Sequence, residues 1–343
     1  MREKKKKIAI LRGGQADYHR SMKSGANILL SLLKLEEECE VLDVVIDINE
    51  KWFEKGVPSD PHRVFSKADF YIDFTEYKHA DYHDLAEKLN VMQVFKNDFI
   101  NNLNRVNVKR IFRQIDINTP RYEVIRDDKN LDSKLKDIWN RFHTPIVIKE
   151  VEHHFNEKSL ITYSFPEALN KAKYILKKGG EVLIEEHAEG KYLSIVAIPD
   201  YRGEDIYVPT PIEMINLGTQ AREVNGKILK DKYLSLHDHE KKSLVHVDIN
   251  LKKELKRLAT AIHQSLLLDF HTLIDVVLIE EKNNKESKKG EDRKYFIKVL
   301  ELHTLPHMFE DSRFDFIMKN SGVDLGRFVL DRIQVLEEQK LSY

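Results

Sequence analysis

The sequence predicts an α/β protein of two or three compact units, and three observations carry that prediction. The first is a strand, Lys7 to Leu11, that runs into Gly13-Gly14 and is followed by a helical stretch from about Ser21 to Leu33 and a second strand, Val41 to Ile48. Strand, helix and strand in that order open a parallel α/β unit. The second is a pair of apolar runs, Leu273 to Glu280 and Tyr295 to His303, separated by the polar run Glu281 to Lys294 with its single Gly290. Two such runs around a solvated connection read as a β-hairpin with an enlarged loop. The third is length, since 343 residues suffice for two or three domains, each with its own core.

Composition narrows the function classes. With 41% hydrophobic and 33% charged residues and a formal net charge of -1, the chain has no electrostatic footprint for nucleic acid or an anionic membrane. A single cysteine, Cys39, excludes a disulfide framework and a thiolate metal cluster, so a reduced, cytoplasmic protein is expected. The basic start, Met1 to Lys7, precedes an apolar run, Ile8 to Leu11, far too short for a signal peptide or a membrane span. No internal repeat is visible.

Taken in order, the glycine pair after the first strand suits either a tight turn or an anion held by free N–H groups at a helix N-terminus. A third strand, Ala68 to Asp73, and a helix, Tyr82 to Leu89, complete the first unit. His79 and His83 stand four apart at that helix start, but without an acid at fixed spacing they read as surface histidines. Asn104 to Ile115 is a basic helix stopped by Pro120. Its Arg105 and Lys109 are solvated charges or phosphate contacts. Thr144 to Lys149 and Glu181 to His187 are strands around the helix Pro166 to Lys178, and Lys149 after its apolar run is either a strand-edge charge or buried against a ligand. The helix Leu251 to Leu267 repeats apolar residues at three and four, as a helix lying on a sheet should. In the hairpin, Glu301 and His303 are two apart and share a face. If Asp275 faces the same way, three ligands converge for a hard divalent cation beside phosphate oxygens. The same spacing also suits rim charges on an exposed hairpin.

The run Glu301-Leu302-His303-Thr304-Leu305-Pro306-His307-Met308, with Ser312 four residues on, resembles the end of the D-alanine–D-alanine ligase site, Glu-x-Asn-Thr-x-Pro-Gly-Met. Leu11 to Gly25, with Gly13-Gly14, Asp17 and Ser21, resembles the opening of that family, and Asn118-Thr119-Pro120 its entry to a small central domain. The resemblance covers Lys7 to about Ile333 and implies an ATP-grasp fold: an N-terminal parallel α/β domain over 1–102, a central α+β subdomain over 103–190 and a C-terminal subdomain over 191–343. It also implies roles. Asp17, Ser21 and Ser312 would handle the amino-acid substrates, with Ser312 near the acceptor carboxylate. Arg105 and Lys149 would hold ATP phosphates, Glu185, Glu186, His187 and Ala188 would form the adenine hinge, and Lys232 and Tyr233 would belong to the closing loop. Asp275, Glu301 and His303 would be the positions for Mg2+ or Mn2+. A homodimer is what the family implies.

The departures are as specific. The family asparagine is His303, a softer ligand than magnesium usually takes, and a family glycine is His307. Glu150 to Ser159 holds three acids and no glycine where the family has a Gly/Ser-rich loop over the transferring phosphate, and Thr75-Glu76 replaces a His-Gly. Leu273 stands where the family keeps an arginine for the tetrahedral intermediate. Three readings therefore stand at this point: a ligase making a dipeptide through an acyl phosphate, a regulatory relative that only binds nucleotide, and a ligase for other substrates with His153, His154 and His303 rebuilding the site.

Overall fold

The computed structural model describes residues 5–15, 17–75, 81–95, 104–152, 159–215, 221–224, 227–230, 233–234, 241–245, 247–280, 295–304 and 306–341. The first sheet begins with β1 (Lys6–Gly13), followed by α1 (Tyr18–Leu33) and β2 (Cys39–Ile46). A hairpin of β3 (Trp52–Glu54) and β4 (Val57–Ser59) then leads through α2 (Pro61–Phe65) to β5 (Phe70–Asp73), α3 (Asp81–Lys88) and β6 (Met92–Gln93). The order is β4-β3-β2-β1-β5-β6, with β2, β1, β5 and β6 parallel and the hairpin antiparallel at one edge. Asp17 caps α1, and the buried face Ser21, Ser24, Gly25, Ile28, Leu32 recurs at three and four. Gly25 is required there, because a β-carbon on it would lie 2.7 Å from the Arg12 β-carbon on β1.

The central unit follows α4 (Arg105–Gln114): β7 (Tyr122–Ile125), α5 (Leu131–Arg141), β8 (Ile146–Glu150), β9 (Ser159–Thr162), α6 (Phe165–Lys177) and β10 (Val182–Glu186). Side chains alternate across these strands. Ile146, Ile148, Val182 and Ile184 pack on α5 and α6, while Lys149 and Glu185 point to the opposite face. Because β8 lies between β9 and β10, Lys149 is no strand-edge charge.

The third sheet is built on β11 (Lys191–Tyr201), with β12 (Glu204–Tyr207) and β13 (Ile212–Ile215) beside it. β14 (Ala221–Val224) and β15 (Lys227–Lys230) form a separate ribbon, and β16 (Tyr233–Leu234) crosses back to β9 in the central sheet. β17 (Lys241–Leu244), α7 (Ile249–Leu266), β18 (Thr272–Glu280), β19 (Tyr295–His303), α8 (Arg313–Asn320) and α9 (Leu325–Leu341) complete the chain, the large sheet running β17-β13-β11-β18-β19. The two hairpin strands match their sequence reading, with Asp275 opposite Glu301 and Leu273 opposite His303 in register.

The cores are not one per unit, as length suggested. The central sheet has its own, but one cluster joins Ile8, Ile10 and Ile28 of the first unit to Val196, Leu273, Phe314 and Phe328 of the last. The cause is α9, which returns to lie against α1 and closes the two sheets over a common interior.

Candidate active site

A group of buried charges lies where the inner face of the central sheet meets β19. Glu185 on β10 is 2% exposed, with Lys109 Nζ 2.6 Å from one carboxylate oxygen and Lys149 Nζ 2.8 Å from the other. The Lys109 contact is an ion pair without hydrogen-bond geometry; that ammonium donates instead to Thr119 Oγ1 at 2.9 Å and the Leu300 carbonyl at 3.2 Å. Arg105 donates through Nε to Glu301 at 2.7 Å and through Nη1 to the carbonyls of Glu150 and Glu152 at 2.7 and 2.9 Å. Lys149 Nζ is 4.0 Å from the second Glu301 oxygen.

Burial pushes the Lys109 ammonium down. It presses the same way on Lys149, but the Glu185 and Glu301 carboxylates outweigh it and raise Lys149. For Glu185 burial works upward and is overcome by the two lysines, which hold the carboxyl below its ordinary value. Three cations around two carboxylates, in low dielectric, form a place where an added anion is attracted and desolvated groups are already oriented.

Beside it, Asp275, Glu301 and His303 offer ligand atoms that all lie within 4.8 Å of one another. The three residues the sequence grouped do come together. Their composition suits a divalent cation, but Asp275 as arranged does not fit one. It is 1% exposed, and its carboxylate accepts from Ser194 Oγ at 2.6 Å and from Arg313 Nη1 at 2.7 and 2.8 Å, with His303 Nε2 at 2.8 Å. Burial would raise this carboxyl, yet Arg313 and then His303 prevail and hold it at about 2.

At the hinge the strand ends as expected, but the four residues divide. Glu185 turns inward to the lysines, whereas Glu186 faces outward and takes a bidentate pair from Arg121 at 3.0 and 3.0 Å. The Glu186 N–H donates to the Arg121 carbonyl and the Tyr192 hydroxyl donates to the Ala188 carbonyl at 2.7 Å, beside His187 Nε2 at 3.0 Å. Burial lowers His187. Lys232, like His79, His153 and His154, lies outside the described residues; the Tyr233 backbone pairs with Leu160.

In the first unit both N–H groups of the glycine pair are spent within the protein. Gly13 donates to Ser21 Oγ at 2.7 Å and Gly14 to the Ile46 carbonyl at 2.8 Å. The pair is therefore a tight turn rather than an anion cradle, and Gly13, with φ of 100°, has only 2.1 Å between a β-carbon position and the Ile46 oxygen. Asp17 presents a buried Oδ2 with no hydrogen-bond partner among the described residues, Arg20 Nη1 standing 3.3 Å away off geometry. Arg20 also reaches His307 at 3.4 Å, and α1 grips the same loop through Ser24 and Asn27, which hold the Met308 N–H and carbonyl. Ser312 caps α8, accepting from the Asp315 N–H at 3.1 Å.

Sequence reasoning passed over Arg313 and Asp73. A basic residue in the first turn of a helix opposes the helix dipole, and that anomaly was a readable signal for Arg313. Asp73 accepts from Thr75 Oγ1 at 2.6 Å and Tyr82 at 2.8 Å, with His83 Nε2 at 3.4 Å and His83 Nδ1 in turn 2.9 Å from the Tyr71 hydroxyl. His83 is thus part of a polar network at the end of β5 and not a surface histidine.

This architecture has known counterparts. D-alanyl-alanine synthetase A from Vibrio cholerae superposes with a TM-score of 0.75 at 17% identity, covering 96% of this chain and 98% of that one. A curated D-alanine–D-alanine ligase from Aquifex aeolicus is 26% identical over 226 residues, which are 64% of this chain and 65% of the relative. The chain is similar to D-alanine–D-alanine ligases in sequence and in fold. Its ATP-grasp fold also matches the VanG D-Ala:D-Ser ligase of Enterococcus faecalis, with a TM-score of 0.69, 16% identity and coverage of 96% and 99%. The ligase of Bacillus anthracis complexed with ATP gives a TM-score of 0.68 at 16% identity, covering 98% and 100%. No family model matches the sequence. The curated match in sequence spans less than two thirds of the relative's length.

Proposed function

We propose that this chain is an ATP-dependent ligase that phosphorylates the carboxylate of one small amino acid and joins the acyl group to the amine of a second, releasing ADP and phosphate. The observation that supports the reading is the close set of Arg105, Lys109 and Lys149 around Glu185 and Glu301, three cations to two carboxylates, which favours an added anion. Its support outside the molecule is the likeness to a ligase complexed with ATP. Lys149 and Arg105 hold the transferring phosphate and offset the charge that develops on it, Glu186 to Ala188 border the adenine, and the buried Asp17 oxygen receives a substrate ammonium. Ser21 and Ser312 keep the two substrate-binding turns in shape. The Mg2+ or Mn2+ that accompanies ATP would meet Glu301 and His303, since Asp275 is filled.

The reading extends, on the resemblance, to a D-alanine dipeptide for peptidoglycan precursors, made by a cytoplasmic homodimer. Among the described residues no helix is long and apolar enough to cross a membrane. A second reading, nucleotide binding without transfer, is favoured by Leu273, an apolar 2%-exposed residue two positions before Asp275 where a guanidinium would serve an oxyanion. Calorimetry with ATP and Mg2+ or Mn2+, joined to phosphate release against D- and L-amino acids, decides between them. The ligase reading expects binding and amino-acid-dependent release that Glu301→Gln abolishes. Binding without release establishes the second reading, and absence of binding removes both.

A further inference from the structure

The arrangement at Asp275 departs from a metal site in a way that can be followed through. A carboxylate offers about four lone-pair positions. At Asp275 the Ser194 hydroxyl, the two approaches of Arg313 Nη1 and the His303 ring nitrogen lie within 2.6 to 2.8 Å and take up that capacity. Asp275 is 1% and Arg313 6% exposed, so neither side chain exchanges this partner for water. Arg313 Nη1 also reaches Ser194 Oγ at 3.1 Å, which fixes the guanidinium from a second side. A divalent ion bound to an Asp275 oxygen would stand against a guanidinium already neutralising that carboxylate, with little solvent to screen the repulsion.

We propose that Arg313 is the resident cation of Asp275: the aspartate anchors the guanidinium and is not a metal ligand, and nucleotide is bound with one divalent ion on the Glu301 side rather than two. Ser312 and Arg313 are consecutive at the start of α8. The anchored guanidinium thus neutralises Asp275 within the fold, independent of metal supply.

The metal arm of the test rests on the nucleotide-binding reading, and the thermal arm does not. Mn2+ is titrated by electron paramagnetic resonance into the full chain saturated with a non-hydrolysable ATP analogue. One Mn2+ per chain is expected, Asp275→Asn leaves its affinity within about threefold, and Arg313→Met admits a second ion. Two ions in the unaltered protein, or a loss of about tenfold or more in Asp275→Asn, overturn the proposal. Thermal unfolding without nucleotide or metal then separates anchoring from misfolding. Asp275→Asn strands a buried guanidinium and lowers Tm, and adding Arg313→Met recovers most of the drop, whereas additive losses overturn the anchoring claim. If the analogue does not bind, the ligase reading fails while the thermal cycle still decides this one.

Discussion

At the scale of single residues, the site is held by charges that water does not reach. Lys109, Lys149 and Glu185 are 3%, 5% and 2% exposed, so each depends on the others to remain ionised. Removing one charge from such a set is costly, because the remaining ones have no solvent to turn to. Glu185→Gln is expected to lower stability by about 3 to 5 kcal/mol, measured by urea unfolding, since two ammonium groups would share one neutral amide. Adding Lys109→Met should restore more than half of the loss, for it removes the ammonium that burial already disfavours. Additive losses in that pair would mean that the lysine and the carboxylate are not coupled. Lys149 is a different case, because its ammonium is supported by Glu301 as well. Lys149→Met is therefore expected to weaken ATP by about tenfold or more in calorimetry while costing less stability than Glu185→Gln. An unchanged affinity would take Lys149 out of the phosphate site.

At the scale of elements, what could be read and what could not divide along physical lines. The strands Lys6–Gly13, Val182–Glu186 and Tyr295–His303 were legible to within two residues because apolar runs bounded by glycine or charge leave few alternatives. Helix α1 was read from about Ser21, three residues late, because Asp17 was not recognised as its cap. The short hairpin β3-β4 and the last helices were not legible, since three-residue strands carry too little periodicity and α8 and α9 alternate buried charge with apolar residues. At the site, Asp275, Glu301 and His303 followed from strand parity, which survives the bulge after Asp275 because their pairings lie on one side of it. Arg313 did not follow, as its partner is 38 positions away and only tertiary packing brings it in. Ser312, a substrate-site candidate in the sequence, has a structural role in the fold. Its hydroxyl caps α8 through the Asp315 N–H, so Ser312→Ala should cost about 1 kcal/mol in stability. Ser312→Thr should keep the cap and nearly all of that stability, and an equal loss in both variants would remove the capping account.

At the scale of the molecule, the first and third sheets share an interior that holds one buried histidine, His271, and a second, His263, lies under α7 on the other face of the third sheet. His271 is 0% exposed, ringed by Phe95, Phe314 and Phe328, and neither ring nitrogen has a hydrogen-bond partner among the described residues. Burial, with Arg332 nearby, presses its pKa to about 3 from an ordinary 6.5. His263, on α7, lies 2.9 Å from Thr272 Oγ1 and 3.2 Å from the Leu268 carbonyl, and burial takes it to about 4. A base held neutral in the folded state is protonated first in the unfolded chain. Stability is therefore full above pH 6.5 and falls with pH toward the folded values of 4 and 3. Each histidine contributes a slope of up to about 1.4 kcal/mol per pH unit in that window. Asp275 acts in a separate one: held at about 2 against 3.8, it supports the fold above pH 3.8 and fails only below it. Urea midpoints measured from pH 7.5 to 4.5 should thus decline before Asp275 is protonated, and His271→Leu should remove about half of that decline. An unaltered pH profile in His271→Leu would show that the shared interior is not what makes this protein acid-sensitive. A flattened profile would place its acid-sensitive point at the junction of the two sheets, where α1, α8 and α9 meet, and leave the charge group at Lys149 intact through the same range.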